Sequence, residues 1–172
     1  MIDLDDLEGL CPGLPKQSAG PLALRACVAL ERRHSPGVVL DATVRGAPLQ
    51  DELRWSPLPR SVAPTQDDLR ATEEGAVAIG LALAARHCGW SVRRCLQSRL
   101  AEGADWLMLD AANRRVVLEV GGTDDGRVEA LLVGKLGQAR RSWLARGGTP
   151  AAACVVRFAE PRALLQSDHE SR

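Results

Sequence analysis

The pattern of apolar and polar positions changes character near residue 70. The first 70 residues contain eight of the ten prolines, and this density works against long helices. We predict a short helix over about 21–33, a strand over 38–44 and its hairpin partner near 52–55. We interpret residues 1–70 as an N-terminal extension that packs on the core following it.

After residue 70 the apolar and polar residues follow patterns that are typical of helices and strands. The run over 76–84 is apolar nearly all round, which predicts a buried helix, and alternating apolar and polar positions then predict strands. One of residues 66–68, or Thr72, can cap this helix, and Gly89 can close it. The predicted elements are a helix over 72–87, strands over 90–96, 104–109 and 115–121, a helix over 126–145, a last strand over 152–158 and a loose tail over 167–172.

This order of elements predicts an α/β fold. Three consecutive strands with short connections form a meander, and a strand that follows a helical crossover pairs in parallel. We expect a sandwich in which helices flank a mixed β-sheet, built over residues 71–166 in the order helix, three strands, helix, strand.

Composition narrows the class of protein. Basic and acidic side chains balance at 22 each, so contact with nucleic acid would need a local basic patch. The five cysteines form no C-x-x-C pair, and we expect reduced thiols in a cytoplasmic protein. We read the acidic start as carrying no secretory signal, and no apolar run is long enough for a membrane span.

Two acids stand inside apolar strands that should be neighbours. Asp105 begins one strand, and Glu119 lies in the next, on the same face as Val117 and Gly121. A carboxylate among apolar residues is costly unless it is paired or holds a metal ion. Together with the backbone carbonyl of Val120, both acids would suit Mg²⁺ or Mn²⁺, which prefer oxygen ligands.

At these residues the chain resembles the PD-(D/E)XK nuclease superfamily. The matching segments are Gly103-Ala104-Asp105 and Leu118-Glu119-Val120-Gly121, and the element order over about 72–160 is that of the superfamily core. The chain looks most like a bacterial branch with K-x-x-Q in the next helix. The resemblance implies a restriction-endonuclease-like fold and metal-dependent cleavage of DNA. It also implies a role in a defence or mobile-element system, as a homodimer or within a larger protein complex.

The resemblance fails at one position. The superfamily's usual lysine lies two residues after the second acid, where this chain has Gly121. The chain contains two lysines against twenty arginines, and one of them, Lys135, falls in the next helix on a flank with Gln138. An amine can lose its proton, which a guanidinium does poorly. We therefore predict that Lys135 assists the attacking water and that Gln138 orients Lys135 or a phosphate.

Further residues are expected around these side chains. The resemblance suggests Glu73, in preference to Glu74, as a third metal ligand, and Gln97 could also line the site. Arginines on the first core strand and at the end of the second helix are expected to neutralise DNA phosphates. They are Arg93, Arg94, Arg140 and Arg141.

Each assignment has a structural alternative. Asp105 can be a turn residue, Glu119 can pair with Arg93 or Arg115, and Lys135 can be solvated. Acids at the start of a helix and arginines at its end suit the helix dipole. The two glycines after Val120 can simply stop a strand, whereas their functional interpretation is close backbone approach to a metal ion or a phosphate. Two functions therefore stay open: a nuclease, or a nuclease-like domain that no longer cuts and serves as a structural or nucleic-acid-binding subunit.

Overall fold

A computed structural model describes residues 1–62, 67–96 and 105–168. Within them the chain has the predicted α/β class, with eight strands in one mixed sheet. The helices are α1 (Leu7–Leu10), α2 (Lys16–Glu31), α3 (Asp68–Cys88), α4 (Val128–Arg141) and α5 (Trp143–Arg146). The strands are β1 (Ile2–Asp3), β2 (Val38–Val44), β3 (Ala47–Arg54), β4 (Ser91–Cys95), β5 (Trp106–Leu109), β6 (Arg115–Thr123), β7 (Ala151–Arg157) and β8 (Arg162–Ser167).

The sheet has the strand order β1-β3-β2-β8-β7-β6-β5-β4. Strands β4, β5 and β6 form the antiparallel meander that the sequence predicts. Strand β7 pairs in parallel with β6 after the α4 crossover, which is also as predicted. The sequence of α3, three strands, α4 and β7 thus places the end of β6 and the start of β5 side by side.

The ends of the two core helices refine the prediction. Of the two alternatives for the cap of α3, residues 66–68 or Thr72, the structure has the first: the Asp67 side chain accepts a hydrogen bond from Arg70 N–H at 2.8 Å, and the helix begins at Asp68. It ends at Gly89 as predicted, with a φ of 66° that favours glycine. The predicted helix over 126–145 is interrupted at Ser142, whose extended backbone separates α4 from α5.

Residues 1–62 are continuous with the sheet. The predicted hairpin is present as β2 and β3, and β2 pairs in parallel with β8. The strand predicted over 152–158 is present as β7, but it is not the last one, because β8 follows it and joins the hairpin to β7. Strand β8 has only six residues, and its Ala-Leu-Leu centre is buried without alternation, so periodicity gave no signal for it.

Helix α2 starts earlier than the sequence suggested. The prediction placed this helix over about 21–33, with Pro21 at its start. In the structure α2 begins at Lys16, and Pro21 lies inside it at the cost of one hydrogen bond.

Helices cover both faces of the sheet. Helix α3 packs on β6 and β7, and α2 packs on α3, whereas α4 packs on the other face against β6, β7 and β8. Residues of β6 alternate between these two layers, with Leu118 facing α3 and Val117 facing α4. In the described part of the chain, no helix has the length and apolar character needed to cross a bilayer.

Candidate active site

A pocket of about 330 Å³ opens at the end of the sheet where β5 begins and β6 nears its end. Helices α3 and α4 contribute its two walls. Four of the predicted site residues line it, namely Asp105, Val120, Lys135 and Glu73. Glu119 is fully buried and contacts Lys135 from below.

The two predicted acids face each other across adjacent strands. The last ladder pair of β5 and β6 is Trp106 opposite Leu118, so the next step along the ladder places Asp105 opposite Glu119. The Asp105 carboxylate accepts a hydrogen bond from Val120 N–H at 3.3 Å, which holds it against β6. Like charges in directly opposed positions repel. The arrangement is therefore unfavourable unless the two carboxylates share a proton or a cation.

Glu119 carries the clearest electrostatic signal in the pocket. Its side chain is 0 % exposed, its Oε2 accepts from Lys135 Nζ at 3.4 Å, and its Oε1 is buried without a hydrogen-bond partner among the described residues. Burial first, and then the charge of Asp105, raise the pKa of Glu119 to about 8, although the Lys135 ammonium opposes both effects. Glu119 therefore holds its proton more tightly than an exposed glutamate does, and a cation that bound there would compete with that proton.

Lys135 occupies the space that a side chain at position 121 would need. A Cβ atom on Gly121 would lie 3.0 Å from Lys135 Cε and 3.3 Å from its Cγ. The lysine stem therefore lies over the backbone of β6, and its side chain, which is 24 % exposed, places the amine beside Glu119. Glycine at the superfamily's lysine position and lysine on α4 are sterically complementary.

The Val120 carbonyl lies at the same edge of β6. Asp105 accepts the Val120 N–H, so this residue's peptide groups project toward β5, and an extended residue directs its N–H and C=O to the same side. Strand β5 begins only at Trp106, and the carbonyl therefore falls beyond the ladder, near the Asp105 carboxylate. That position suits a backbone oxygen ligand.

Gly122 brings helix α3 to the pocket. A Cβ atom there would lie 2.2 Å from the backbone oxygen of Thr72 and 2.9 Å from Ala76 Cβ, so the strand and the helix pack backbone to backbone. Strand β6 continues to Thr123, which rules out the alternative that these glycines stop it. The close approach is to α3, and it places the first turns of that helix over the site.

The two acids of α3 have different environments. Glu74 is ion-paired with Arg70, at 3.0 Å, and with Arg25, at 3.5 Å. Glu73 is exposed at the rim of the pocket. No group of three or more His, Cys, Asp or Glu side chains close enough to hold a metal occurs within residues 1–62, 67–96 and 105–168. Glu73 therefore lines the pocket without completing a three-acid cluster.

Gln138 and the arginines of α4 lie outside the pocket. Gln138 is exposed one turn beyond Lys135 and does not line it. Arg140 is held by Asp168, with Nε 2.9 Å from Oδ2, and Arg141 is exposed at the end of α4. The structure therefore does not bring these three residues to the two acids.

The arginines of β4 lie closer to the acids. Arg94 pairs opposite Leu107, which faces α4, so Arg94 shares the face of Asp105 two positions away along β5. Arg93 occupies the irregularity between Val92 and Arg94. Both arginines are exposed on the edge strand.

Some predicted features fall on residues that the structure does not describe. Gln97, the Gly103-Ala104 part of the first motif, the cap candidate Gln66 and residues 169–172 of the predicted tail lie outside the described ranges. Among the alternatives, the ion-pair partner of Glu119 is Lys135 rather than Arg93 or Arg115.

Residues that sequence reasoning missed complete the pocket walls. Val77 and Trp106 form an apolar part on the α3 side, Leu131 lies beside Lys135 on α4, and Arg70 adds a cation at the rim. Arg70 precedes Glu74 by four residues on α3, a spacing visible in the sequence but common on exposed helices.

Comparison with protein-family models, with curated proteins and with solved structures gives no match for this chain. What the pocket does must therefore be argued from its own geometry and chemistry.

Proposed function

We propose that this chain is a metal-dependent phosphodiesterase that cleaves DNA, built on a restriction-endonuclease-like core. One observation carries the proposal: Lys135 reaches over Gly121 to lie 3.4 Å from a buried glutamate, in the pocket that also holds Asp105. Two acids and one amine from three different elements meet where apolar packing alone would place none of them.

The donor set suits Mg²⁺ or Mn²⁺. Asp105, Glu119 and the Val120 carbonyl would supply three oxygens, and Mg²⁺ characteristically keeps several waters in addition. The buried Oε1 of Glu119, which has no hydrogen-bond partner among the described residues, supports this set, because a bound cation would satisfy it. Glu73 would reach the ion through a water, since no three-acid cluster is present in the described ranges.

The remaining roles follow from position. A divalent cation held there would supply charge stabilisation and make a water more acidic, and the Lys135 amine would orient the attacking water and help to remove its proton. Arg94 lies on the same face, where it would neutralise a backbone phosphate of DNA without reading bases, and Arg93 would assist on the exposed edge. A place in a bacterial defence or mobile-element system, with a second copy or a larger complex as partner, is part of the proposal.

The sharpest test moves the lysine back to the strand. We expect Lys135→Ala to lower the rate of plasmid or oligonucleotide cleavage by about 10²- to 10⁴-fold, and Gly121→Lys with Lys135→Ala to recover part of it. Gly121→Lys alone should be poorly active, because a side chain at position 121 would clash with the Lys135 side chain.

Controls come from the chain itself. Lys16→Ala changes the only other lysine, in α2, and should leave the rate unchanged. Asp105→Asn and Glu119→Gln should fall to background with Mg²⁺ or Mn²⁺. Equal activity in all variants, or activity that persists in a chelator, would assign the cleavage to a contaminant and refute the proposal.

A non-cleaving subunit is the second candidate function. The existing Lys135–Glu119 ion pair favours it, because an amine already held by a buried acid can serve packing alone. In that case the wild-type chain would bind DNA equally well with and without Mg²⁺, and the cation would not change its melting temperature. Metal-dependent stabilisation together with cleavage would exclude this alternative.

A further inference from the structure

Arg70 is a cation of the pocket wall that the proposed reaction does not use. It lies in the first turn of α3 and lines the pocket opposite the helix that carries Lys135. Its side chain is 66 % exposed, and its Nε lies 3.0 Å from Glu74. An exposed i,i+4 pair with the cation first is the weaker order on a helix and contributes little to stability. The guanidinium can therefore exchange this contact for another anion.

Glu74 does not depend on Arg70. Arg25 from α2 also approaches it, with Nε at 3.5 Å, and the Arg25 side chain is only 19 % exposed. One terminal nitrogen of Arg25 is buried without a hydrogen-bond partner in the described part of the chain. If Arg70 turned toward a ligand, Glu74 would keep a partly buried arginine, and no buried charge would be left unpaired.

The charges of the pocket show what Arg70 could bind. Glu73, Glu74 and Asp105 line the pocket together with only two cations, Arg70 and Lys135, in the described residues. Lys135 is engaged by Glu119. Of these two cations, Arg70 is the one that can form an ion pair with a substrate anion. Its planar guanidinium can donate two parallel hydrogen bonds to a phosphate.

We propose that Arg70 binds a second phosphate group, adjacent to the one that is cleaved, and so makes the site select polynucleotides over simple phosphodiesters. This inference rests on the proposed function, since it assumes that a phosphodiester occupies the pocket beside Asp105 and Lys135. Arg70 is then a specificity residue at one wall of the pocket, while the reacting atoms lie near the other wall.

The test compares two substrates that differ in this second phosphate. One is a DNA oligonucleotide, and the other is bis(4-nitrophenyl) phosphate, a diester with no neighbouring phosphate. With Mn²⁺, Arg70→Ala should lower kcat/KM for the oligonucleotide by about ten- to a hundredfold and leave the small diester unchanged. Lys135→Ala should lower both, and Arg70→Lys should recover part of the loss on DNA.

Two further variants separate ligand binding from structure. Glu74→Gln removes the helix partner of Arg70 and should leave discrimination between the substrates intact, whereas a purely structural Arg70 would make it resemble Arg70→Ala. Arg54→Ala is the matched charge control, because Arg54 is an exposed arginine that is likewise paired with a glutamate, Glu52, and lies outside the pocket. The inference would be overturned if Arg70→Ala lowered kcat/KM equally for both substrates. It would also be overturned if Glu74→Gln lowered kcat/KM for the oligonucleotide as Arg70→Ala does.

A binding measurement keeps this test independent of cleavage. On a Glu119→Gln background, Arg70→Ala should weaken binding of a labelled oligonucleotide, followed by fluorescence anisotropy, and reduce the slope of log affinity against log salt by about one. If the wild-type chain cleaves neither substrate but Arg70→Ala weakens binding, the proposed catalysis fails and the phosphate contact stands. Unchanged binding and an unchanged salt slope would refute the contact itself.

Discussion

The buried carboxyl of Glu119 makes stability depend on pH. Its pKa is about 8 in the folded chain against 4.5 for an exposed glutamate, so the unfolded chain loses this proton at lower pH than the folded chain does. Below the lower value both states hold the proton, and the effect vanishes. Between the two values the folded state binds more protons, and the free energy of unfolding falls as pH rises.

We therefore expect the melting temperature to fall more for the wild-type chain than for Glu119→Gln between about pH 5 and pH 8. Mg²⁺ or Mn²⁺ should reverse the wild-type loss, most strongly near the upper end, because the cation replaces the proton. Differential scanning fluorimetry with and without millimolar cation measures both effects. Parallel curves for the two chains would contradict the assigned burial of a titrating Glu119.

The sequence predicted the acids and the amine of the site, but not its arginine. Asp105 and Glu119 were visible because carboxylates are rare among apolar strand residues, and Lys135 because lysine is rare in this chain. Arg70 is one of twenty arginines, and only the close packing of Gly122 on α3 brings it to the pocket. Such a contact depends on tertiary geometry, which a local pattern does not encode.

At the scale of elements, long apolar runs were a reliable guide and short ones were not. The helix α3 and the nine-residue strand β6 are buried over most of their length, and the predictions lie close to both. Strand β8 and the break at Ser142 were missed, because a six-residue run and a single extended residue fall below what periodicity resolves. Strand β8 is defined by its pairing with the distant strands β2 and β7, and the break at Ser142 by the capping of α5 through the Ser142 side chain.

Glycines inside helices test the packing of these elements. A Cβ on Gly75 of α3 would lie 2.9 Å from the Ala26 Cα of α2, whereas a Cβ on Gly134 of α4 would meet nothing within 4 Å. We expect Gly75→Ala to destabilise the chain by about 1–3 kcal/mol, since it forces α2 and α3 apart. Gly134→Ala should stabilise it by roughly 1 kcal/mol, the difference in helix propensity.

Urea unfolding followed by circular dichroism measures the change in the free energy of unfolding of each variant. If the m-values are unchanged, the substitution has not altered the compactness of the unfolded chain, and the change in stability belongs to the folded state. Since both variants make the same substitution in a helix interior, each is the control for the other. A stabilising Gly75→Ala would mean that α2 and α3 do not meet as closely as the structure places them.

At the scale of the whole molecule, the first 62 residues and the site belong to one sheet and one hydrophobic core. Leu53 of β3 and Leu118 of β6 are both 0 % exposed and belong to the same buried cluster, although three strands separate β3 from β6. The sequence predicted the hairpin but suggested an extension packed on a core, because it gave no sign of β8, the strand that joins the hairpin to β7. A hairpin inserted beside β8 has no independent core to fold around.

This continuity predicts cooperative unfolding. Leu53→Ala and Leu118→Ala should each cost about 2–5 kcal/mol and shift a single urea transition without splitting it. The transition should coincide when followed by circular dichroism and by tryptophan fluorescence, which senses Trp55 beside the hairpin and Trp106 beside the pocket. If Leu53→Ala instead gave two transitions and left the cation-dependent stabilisation at Glu119 intact, residues 1–62 would be a separate unit. The pocket would then depend on the remaining strands alone.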